Sequence, residues 1–389
     1  MSRILVVVER FWPEDFLVND LVRAWKDGGD EIEVLTQVPS YPFDKIYDGY
    51  ENRRLQTTRE YLGIPVHRVN TIFGYNTSVK RKILNYLHFG WRTAAWCLWH
   101  GKRFDRVFVY HTAALTMASA VFPMKWLWRK PITIWTQDLW PDAVWGFGIK
   151  RTRFRECVLN CFVRAIYACC DRIAVSCPKY VDRIEALTGR EAEFVPQWEP
   201  DSSLDRVQQT VKTDGIVFMF AGNLGVPQNL PNLIEGFRKF KHDAGIKAAG
   251  AQLHFLGGGV MYEKLVAKCT GDKDIVFHGR KPRVEMPEWF SKADVMIISL
   301  TREYALTLPG KFQSYTKAGK AIFGVLEGAA ADLIREHDLG AVAAPDDVSA
   351  IARGFVAMSQ RDIVVDGQRS RRLSDTLFSR EKLVAALRG

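Results

Sequence analysis

The sequence has little cysteine, and what it has is scattered. The seven cysteines include Cys157 and Cys161, four apart, and the adjacent pair Cys169 and Cys170, with no Cys-x-x-Cys spacing. That excludes the usual ligand pattern of a zinc site and leaves buried thiols in a reducing compartment as the expectation. No uninterrupted apolar run reaches the ~18 residues that span a bilayer. Met1-Ser2-Arg3 runs straight into the apolar Ile4–Val8, so no signal peptide is expected. No low-complexity tract interrupts a chain of 389 residues that is 47% hydrophobic and 25% charged. No G-x-G-x-x-G follows the first strand of either half, which disfavours an NAD enzyme. The length exceeds one ordinary core, so two domains of roughly 200 residues are expected.

Acidic residues are scarce in one region. Between Ser78 and Arg155 there are 14 Lys and Arg against three acids, Asp105, Asp138 and Asp142, a local charge of +11 in a chain whose net charge is +10. The same window holds eight of the 12 tryptophans: Trp91, Trp96, Trp99, Trp126, Trp128, Trp135, Trp140 and Trp145. Tryptophan mixed with Lys and Arg suits an anionic membrane surface, where the ring lies at headgroup level and the cations meet phosphate. The alternatives are a solvated, well-packed face and, less favoured, nucleic acid; no nucleic-acid partner is expected.

The chain alternates strands and helices. Apolar runs predict strands at Ile4–Val8, Glu31–Thr36, Val66–Val69, Val107–Tyr110, Ile132–Thr136 and Arg172–Ser176. Helical spacing predicts Phe16–Lys26, closed by Gly28-Gly29, and Lys82–Lys102, Met117–Trp128 and Arg153–Cys170, with Pro178 opening the next helix. A Pro, Asp and Ser lapse around 194–206 reads as the linker. Strands then restart at Ile216–Phe220, Leu253–Leu256, Ile275–Phe277, Val295–Ser299 and Ala321–Val325. This is an α/β chain with two doubly wound, Rossmann-like halves. Domains are expected at 1–200 and 201–368, with a terminal helix over 369–389 packing back toward the first.

Ligands of open α/β sheets lie beyond the carboxyl ends of the strands. In the first half those loops are rich in aromatics, proline and carboxylates: ERFWPED (Glu9–Asp15), QVPSYPFDKIYD (Gln37–Asp48) and QDLWPD (Gln137–Asp142). In the second half they are rich in glycine. VFMFAGNLGVPQNL (Val217–Leu230) reads as a buried strand, a tight turn at Gly222 and Gly225, and a helix from about Asn229. Such a turn lets the backbone approach a phosphate, and helix N–H groups favour an anion. A polar-aromatic site and a glycine-rich anion site facing each other across a cleft would be the layout of a two-substrate enzyme.

AGNLGVPQNL (Ala221–Leu230), FLGGG (Phe255–Gly259), FHGRKP (Phe277–Pro282), LPGKFQSYTKAGKAIFG (Leu308–Gly324) and TQDLWPD (Thr136–Asp142) occur together with the early FWPE (Phe11–Glu14), SYP (Ser40–Pro42) and NYLHF (Asn85–Phe89). As a set they resemble glycosyltransferase family 4, with the GT-B fold, over nearly the whole chain. The set is most similar to the branch that includes the L-fucosamine transferases of bacterial O-antigen and capsule assembly. The resemblance implies a nucleotide-diphosphate sugar donor in the C-terminal half, retention of anomeric configuration, and no metal or other cofactor. It also implies a polyprenyl-diphosphate-linked acceptor and a cytoplasmic protein peripheral to the inner face of the plasma membrane.

The donor site implied comprises Gly222, Asn223, Leu224, Gly225, Gln228, Gly257, Arg280, Glu303, Lys311 and Ser314. Lys311 offers a cation to the diphosphate, the backbone at Arg280 meets the nucleobase, and Gly257 leaves room for the nucleoside. The sequence departs from the family in two places. The usual two glutamates eight residues apart are here Leu306 and Ser314, leaving Glu303 and Glu327 as the nearest carboxylates for the ribose hydroxyls. The usual Arg and Lys after the first C-terminal strand are Asn223 and Gln228. UDP is the preferred nucleotide. Candidates for the chemistry are Asp138, His111 and Glu14; the competing readings are a loop-capping aspartate, a satisfied loop histidine and a surface carboxylate. Trp12, Tyr41, Arg81, Trp91, Trp126 and Trp128 are the candidates for the acceptor and membrane face. The alternatives on the same architecture are a sugar-nucleotide 2-epimerase, which needs no membrane face, and a non-catalytic membrane-binding protein.

Overall fold

Two compact units make up the protein: one comprises Met1–Pro196 with Glu381–Gly389, the other Gln197–Arg380. The computed structural model describes residues 2–74, 78–145, 150–207 and 215–388.

The first unit holds strands β1 (Arg3–Val8), β2 (Glu31–Gln37), β3 (Leu55–Thr58), β4 (Val66–Val69), β5 (Arg106–His111), β6 (Ile132–Thr136), β7 (Arg172–Val175) and β8 (Glu193–Phe194). Their order in the sheet is β3-β4-β2-β1-β5-β6-β7-β8. Every pairing is parallel except β3 with β4. Ile4–Val8 are at most 1% exposed, as a central parallel strand covered on both faces requires. The helices are α1 (Leu17–Asp27), α2 (Val79–His100), α3 (Val121–Trp126), α4 (Asp142–Trp145), α5 (Arg153–Cys169) and α6 (Pro178–Thr188). Pro178 sits in the first turn of α6, where its missing N–H costs nothing.

The second unit is a six-stranded sheet of β9 (Val217–Ala221), β10 (Gln252–Leu256), β11 (Ile275–Phe277), β12 (Val295–Ser299), β13 (Ala321–Val325) and β14 (Gly340–Ala343), in the order β11-β10-β9-β12-β13-β14. All its pairings are parallel. Numbered within the unit this is 3-2-1-4-5-6, the doubly wound order whose switch point lies between β9 and β12. Its helices are α7 (Leu230–Ala244), α8 (Tyr262–Lys268), α9 (Met286–Ser291), α10 (Lys311–Lys317), α11 (Ala329–Glu336), α12 (Val348–Gln360) and α13 (Ile363–Thr376). Helices α7 and α12 close one face through Phe355, whose ring lies 4.8 to 5.6 Å from those of Phe218, Phe237, Phe323 and Phe240. Such aromatic contacts add to the area they bury.

Several expectations need correction. The Pro-Asp-Ser stretch is not free linker from residue 197 on. It folds onto the second unit, with Leu204 in the core and Asp205 paired to Lys317 and Arg371 at 3.1 Å each. The final segment is two helices, α13 and α14 (Arg380–Arg388), and only the last nine residues belong to the first unit. There the Trp25 indole donates to the carbonyl of Val384 (3.2 Å), and Arg388 pairs with Asp30 (2.8 Å). The edge strands β3, β8 and β14 are short or polar and give little apolar signal. Met117–Trp128 is not one helix: a 3-10 turn over Leu115–Ala120 precedes α3, which ends at Trp126. Cys157 and Cys161 are exposed rather than buried.

Candidate active site

In the second unit the site grows from two glycine turns at the carboxyl ends of β9 and β10. Gly222 has φ +137° and donates its N–H to the carbonyl of Leu256 (2.8 Å). Gly257 has φ +140°, and a Cβ there would stand 1.9 Å from the carbonyl oxygen of Gly222. The turns are therefore interlocked, and each needs glycine for its own φ. The N–H of Leu224 donates to Gly258, and its carbonyl accepts from Met261, both at 3.0 Å. A Gly257→Ala protein is expected to lose ~2 kcal/mol or more of stability, read as a lowered unfolding temperature of the second unit. An unchanged melting curve would contradict the interlocked turns.

These turns line a pocket of ≈ 290 Å³ with Arg280, Lys281 and Met286. Asn223 lies on its wall, and the Arg280 side chain crosses over Gly258. A second hollow, ≈ 440 Å³, lies around Asp171–Ile173 and Gly189–Glu193 in the first unit. It sits where β7 and β8 begin, the wrong end of the strands for a ligand of this fold.

Lys311 opens α10. One turn along that helix, the Tyr315 hydroxyl donates to the carbonyl of Ala221 (2.9 Å) and accepts from its N–H (3.1 Å). This pins α10 to the end of β9 and carries the Lys311 ammonium over the glycine turn. Nζ lies 3.8 Å from the centre of the Phe220 ring and 3.2 Å from where a Gly222 Cβ would stand. Part of the Lys311 stem is exposed but Nζ is buried, and it has no hydrogen-bond partner among the described residues. Burial lowers its pKa from 10.5 to about 7. A buried ammonium without a carboxylate is costly, and a glycine turn beside it leaves space for an anion.

Other expected donor residues have structural duties. The Leu224 side chain is fully buried, and its backbone groups are spent on the second turn. Gln228 accepts from the N–H of Gly225 (3.0 Å) and so caps the turn. A 3-10 turn over Val226–Gln228 and the left-handed Asn229 (φ +50°) precede α7, so the helix does not start directly at the turn. Glu303 is exposed, and Glu327 pairs with Arg302 (3.2 Å). Ser314 instead donates to Glu199, a carboxylate that sequence reasoning passed over.

In the first unit a buried polar cluster gathers where β1, β2 and β6 end. Glu14 accepts at one oxygen from the N–H groups of Ser40 (2.9 Å) and Tyr41 (2.7 Å), with Arg10 at 3.4 Å; its other oxygen is buried with no partner among the described residues. Glu9, also missed from sequence, accepts from Gln37 (2.9 Å) and pairs with Arg10 (3.2 Å). Burial raises the pKa of both carboxyls, against the pull of Arg10. Glu14 is thus not a surface carboxylate.

Asp138 accepts from the N–H of Ala113 (2.6 Å), which is held at φ +62°, and Trp140 donates to the carbonyl of Ala113 (2.7 Å). Asp138 therefore ties the loops after β5 and β6 together. Burial raises its pKa, opposed by that hydrogen bond and by Lys82. His111 is fully buried, and burial lowers its pKa to about 3, so the ring is neutral. Trp12 is half-buried against Tyr61, and Arg10 lies 5.5 Å over the half-exposed Tyr41 ring.

The tryptophans divide. Trp96, Trp135 and Trp140 are buried, and Trp128 donates its indole N–H to the carbonyl of Cys97 (2.9 Å) while packing over Gly101. Trp128 is therefore a packing residue rather than a surface anchor. Trp91, Trp99 and Trp126 are 72%, 84% and 71% exposed. Arg81 is exposed in the first turn of α2.

Two family models match in tandem: a glycosyl transferase 4-like domain over residues 17–198 and glycosyl transferases group 1 over residues 215–361. The chain is a glycosyltransferase of the family 4-like type. Its fold is GT-B, shared along its whole length with solved structures of low sequence identity. Sucrose-phosphate synthase from Thermosynechococcus elongatus superposes with a TM-score of 0.73 at 12% identity, covering 100% of this chain and 97% of that one. The E. coli trehalose-6-phosphate structure bound with UDP-2-fluoro glucose gives 0.73 at 11%, covering 99% of each. A lipopolysaccharide outer core galactosyltransferase in its apo form gives 0.65 at 12%, covering 99% and 98%. No curated protein sequence matches.

Proposed function

We propose that this glycosyltransferase moves a sugar, with retention and without a metal, from a nucleotide-diphosphate donor to a polyprenyl-diphosphate-linked saccharide in bacterial surface polysaccharide assembly. UDP is the preferred nucleotide. The donor half of the reading is supported by the Lys311 ammonium, which lies above the Gly222 turn and has no hydrogen-bond partner among the described residues. It would take up the charge that develops on the leaving diphosphate, the electrostatic part of such a transfer. The acceptor hydroxyl would attack on the face the diphosphate leaves and pass its proton to the departing phosphate, so the protein need supply no strong base. Positioning would fall to the polar cluster of the first unit.

The observation that carries the lipid-linked acceptor is the outer surface of three neighbouring helices. Helix α3 contacts both α2 and α5. Leu84, Leu87, Trp91, Leu98 and Trp99 of α2, Trp126 at the end of α3, and Phe154 and Val158 of α5 are all 48% exposed or more. Lys80, Arg81, Arg153 and Arg155 are exposed on the same helices. Apolar side chains bordered by cations suit an anionic bilayer surface. The inward side of α2 carries Asn85, bonded to Thr71 (3.0 Å) and to the N–H of Ile72 (2.9 Å). Asn85 also donates to Gln37 (3.4 Å), which in turn donates to Glu9, so one helix joins the outer face to the polar cluster. Among the described residues no helix is long and apolar enough to cross a membrane, so the association proposed is peripheral.

Purified protein with a panel of nucleotide sugars and a polyprenyl-diphosphate sugar in vesicles is expected to yield an elongated lipid, read by mass. Equal transfer to a water-soluble sugar phosphate without lipid would overturn the acceptor assignment. Donor isomerisation without transfer would indicate the epimerase.

A further inference from the structure

Glu199 is a carboxylate that neither the anion site nor the polar cluster of the first unit uses. Its side chain is only 10% exposed. One oxygen accepts from Arg283 (2.7 Å) and from the N–H of Asp201 (3.0 Å); the other accepts from the hydroxyl of Ser314. Both side-chain partners stand close in sequence to residues of the donor site. Arg283 lies between Lys281 and Met286, which line it, and Ser314 is three residues after Lys311 on α10. Glu199 therefore ties the segment between Lys281 and Met286 to α10, where its partner Ser314 stands about one helical turn after Lys311, the cation assigned to the diphosphate.

We propose that Glu199 receives the ribose hydroxyls of the nucleotide donor. This rests on the nucleotide-sugar reading above. In a nucleoside diphosphate the ribose lies between base and phosphate, so its diol falls within one sugar ring of the Lys311 site. A carboxylate suits a vicinal diol because its two oxygens can accept one hydroxyl each, as acidic residues do for ribose in other doubly wound nucleotide sites. Arg283 supplies the opposite charge beside it, at 2.7 Å. The Ser314 hydroxyl holds the carboxylate against α10, a position from which a serine alone could offer one hydrogen bond and no charge. Glu303 and Glu327, nearer in sequence, make no contact with Ser314 in the hydrogen bonds and ion pairs described above.

Titration calorimetry with UDP and 2′,3′-dideoxy-UDP tests this. Wild-type protein is expected to prefer UDP by tenfold or more, and Glu199→Gln and Glu199→Ala to reduce the preference to less than threefold. Glu199→Ala combined with Ser314→Glu is expected to restore it, because the carboxylate returns from the other side of the same contact. Thermal melts check that each variant folds. Full preference in Glu199→Gln, or equal loss of affinity for both ligands, would overturn the proposal and leave Glu199 as a structural clamp. Wild-type protein that binds none of UDP, ADP, GDP and CDP would overturn the nucleotide-sugar reading itself, a distinct result.

Discussion

Lys311→Met is expected to give a ligand-free protein that melts several degrees higher than wild type at pH 7, and that binds the nucleotide sugar roughly 10–150-fold more weakly. The affinity loss is that of one charge-assisted contact, about 1.5–3 kcal/mol. The stability gain comes from removing a buried ammonium that has no hydrogen-bond partner among the described residues and replacing it with an apolar chain of similar length. Part of that gain is offset by the lost contact with the Phe220 ring, 3.8 Å away.

The pH dependence separates this from simple repacking. Burial lowers the Lys311 pKa to about 7 in the folded protein, while the unfolded chain keeps an ordinary value of about 10.4. Between those values the unfolded state binds more protons, so this group's penalty diminishes and wild-type stability rises with pH. The full shift corresponds to about 1.4 kcal/mol per pKa unit. Donor affinity runs the other way. An anion binds the protonated lysine, so affinity is flat below about pH 7 and falls about tenfold per unit above it, until the pKa of the bound state is reached. Lys311→Met should show neither slope. Calorimetry of unfolding and of binding from pH 6 to 9 checks both, and parallel profiles for the two proteins would remove Lys311 from the anion site.

Replacing Trp91, Trp99 and Trp126 together with serine is expected to lower partitioning onto anionic phospholipid vesicles roughly a thousandfold, with little change in melting temperature. Each ring is more than 70% exposed and so contributes little to the fold. Each would gain about 1.5 kcal/mol on entering the interface, and three such gains approach 5 kcal/mol, a little over three decades. The cations beside them make wild-type binding sensitive to salt, with phosphatidylcholine vesicles bound less than vesicles rich in phosphatidylglycerol. Vesicle sedimentation measures the partitioning. Equal binding by wild type and triple variant would overturn the membrane face. Trp128→Ser serves as a contrast: its indole holds the carbonyl of Cys97, so it should lower stability more than partitioning.

Much of the architecture was legible in the sequence because a buried parallel strand must be apolar on both faces. Ile4–Val8, Val217–Phe220, Val295–Ser299 and Ala321–Val325 are continuous apolar runs, and the helices between them repeat with the helical period. Alternation of the two determines a doubly wound chain before any contact is known. The glycine turns were legible for a similar local reason: φ values near +137° at Gly222 and +140° at Gly257 leave glycine as the residue of choice. Lys311 was legible through the resemblance of LPGK (Leu308–Lys311) to the family motif.

Side-chain roles that depend on a distant partner were not legible. Leu224 and Gln228 stand in the glycine turn by sequence, yet a second turn over 30 residues away and a local cap consume them. Glu199 and Ser314 are 115 residues apart and meet only because residues 197–207 fold onto the second unit. The tryptophans show the same limit. Helix α2 is apolar on more than one side, burying Phe89, Trp96 and Cys97 while exposing Leu84, Leu87 and Trp91. Periodicity states that two such faces exist; only packing against the rest of the first unit decides which is core and which is left for a partner, because burial is a property of the neighbour as much as of the side chain.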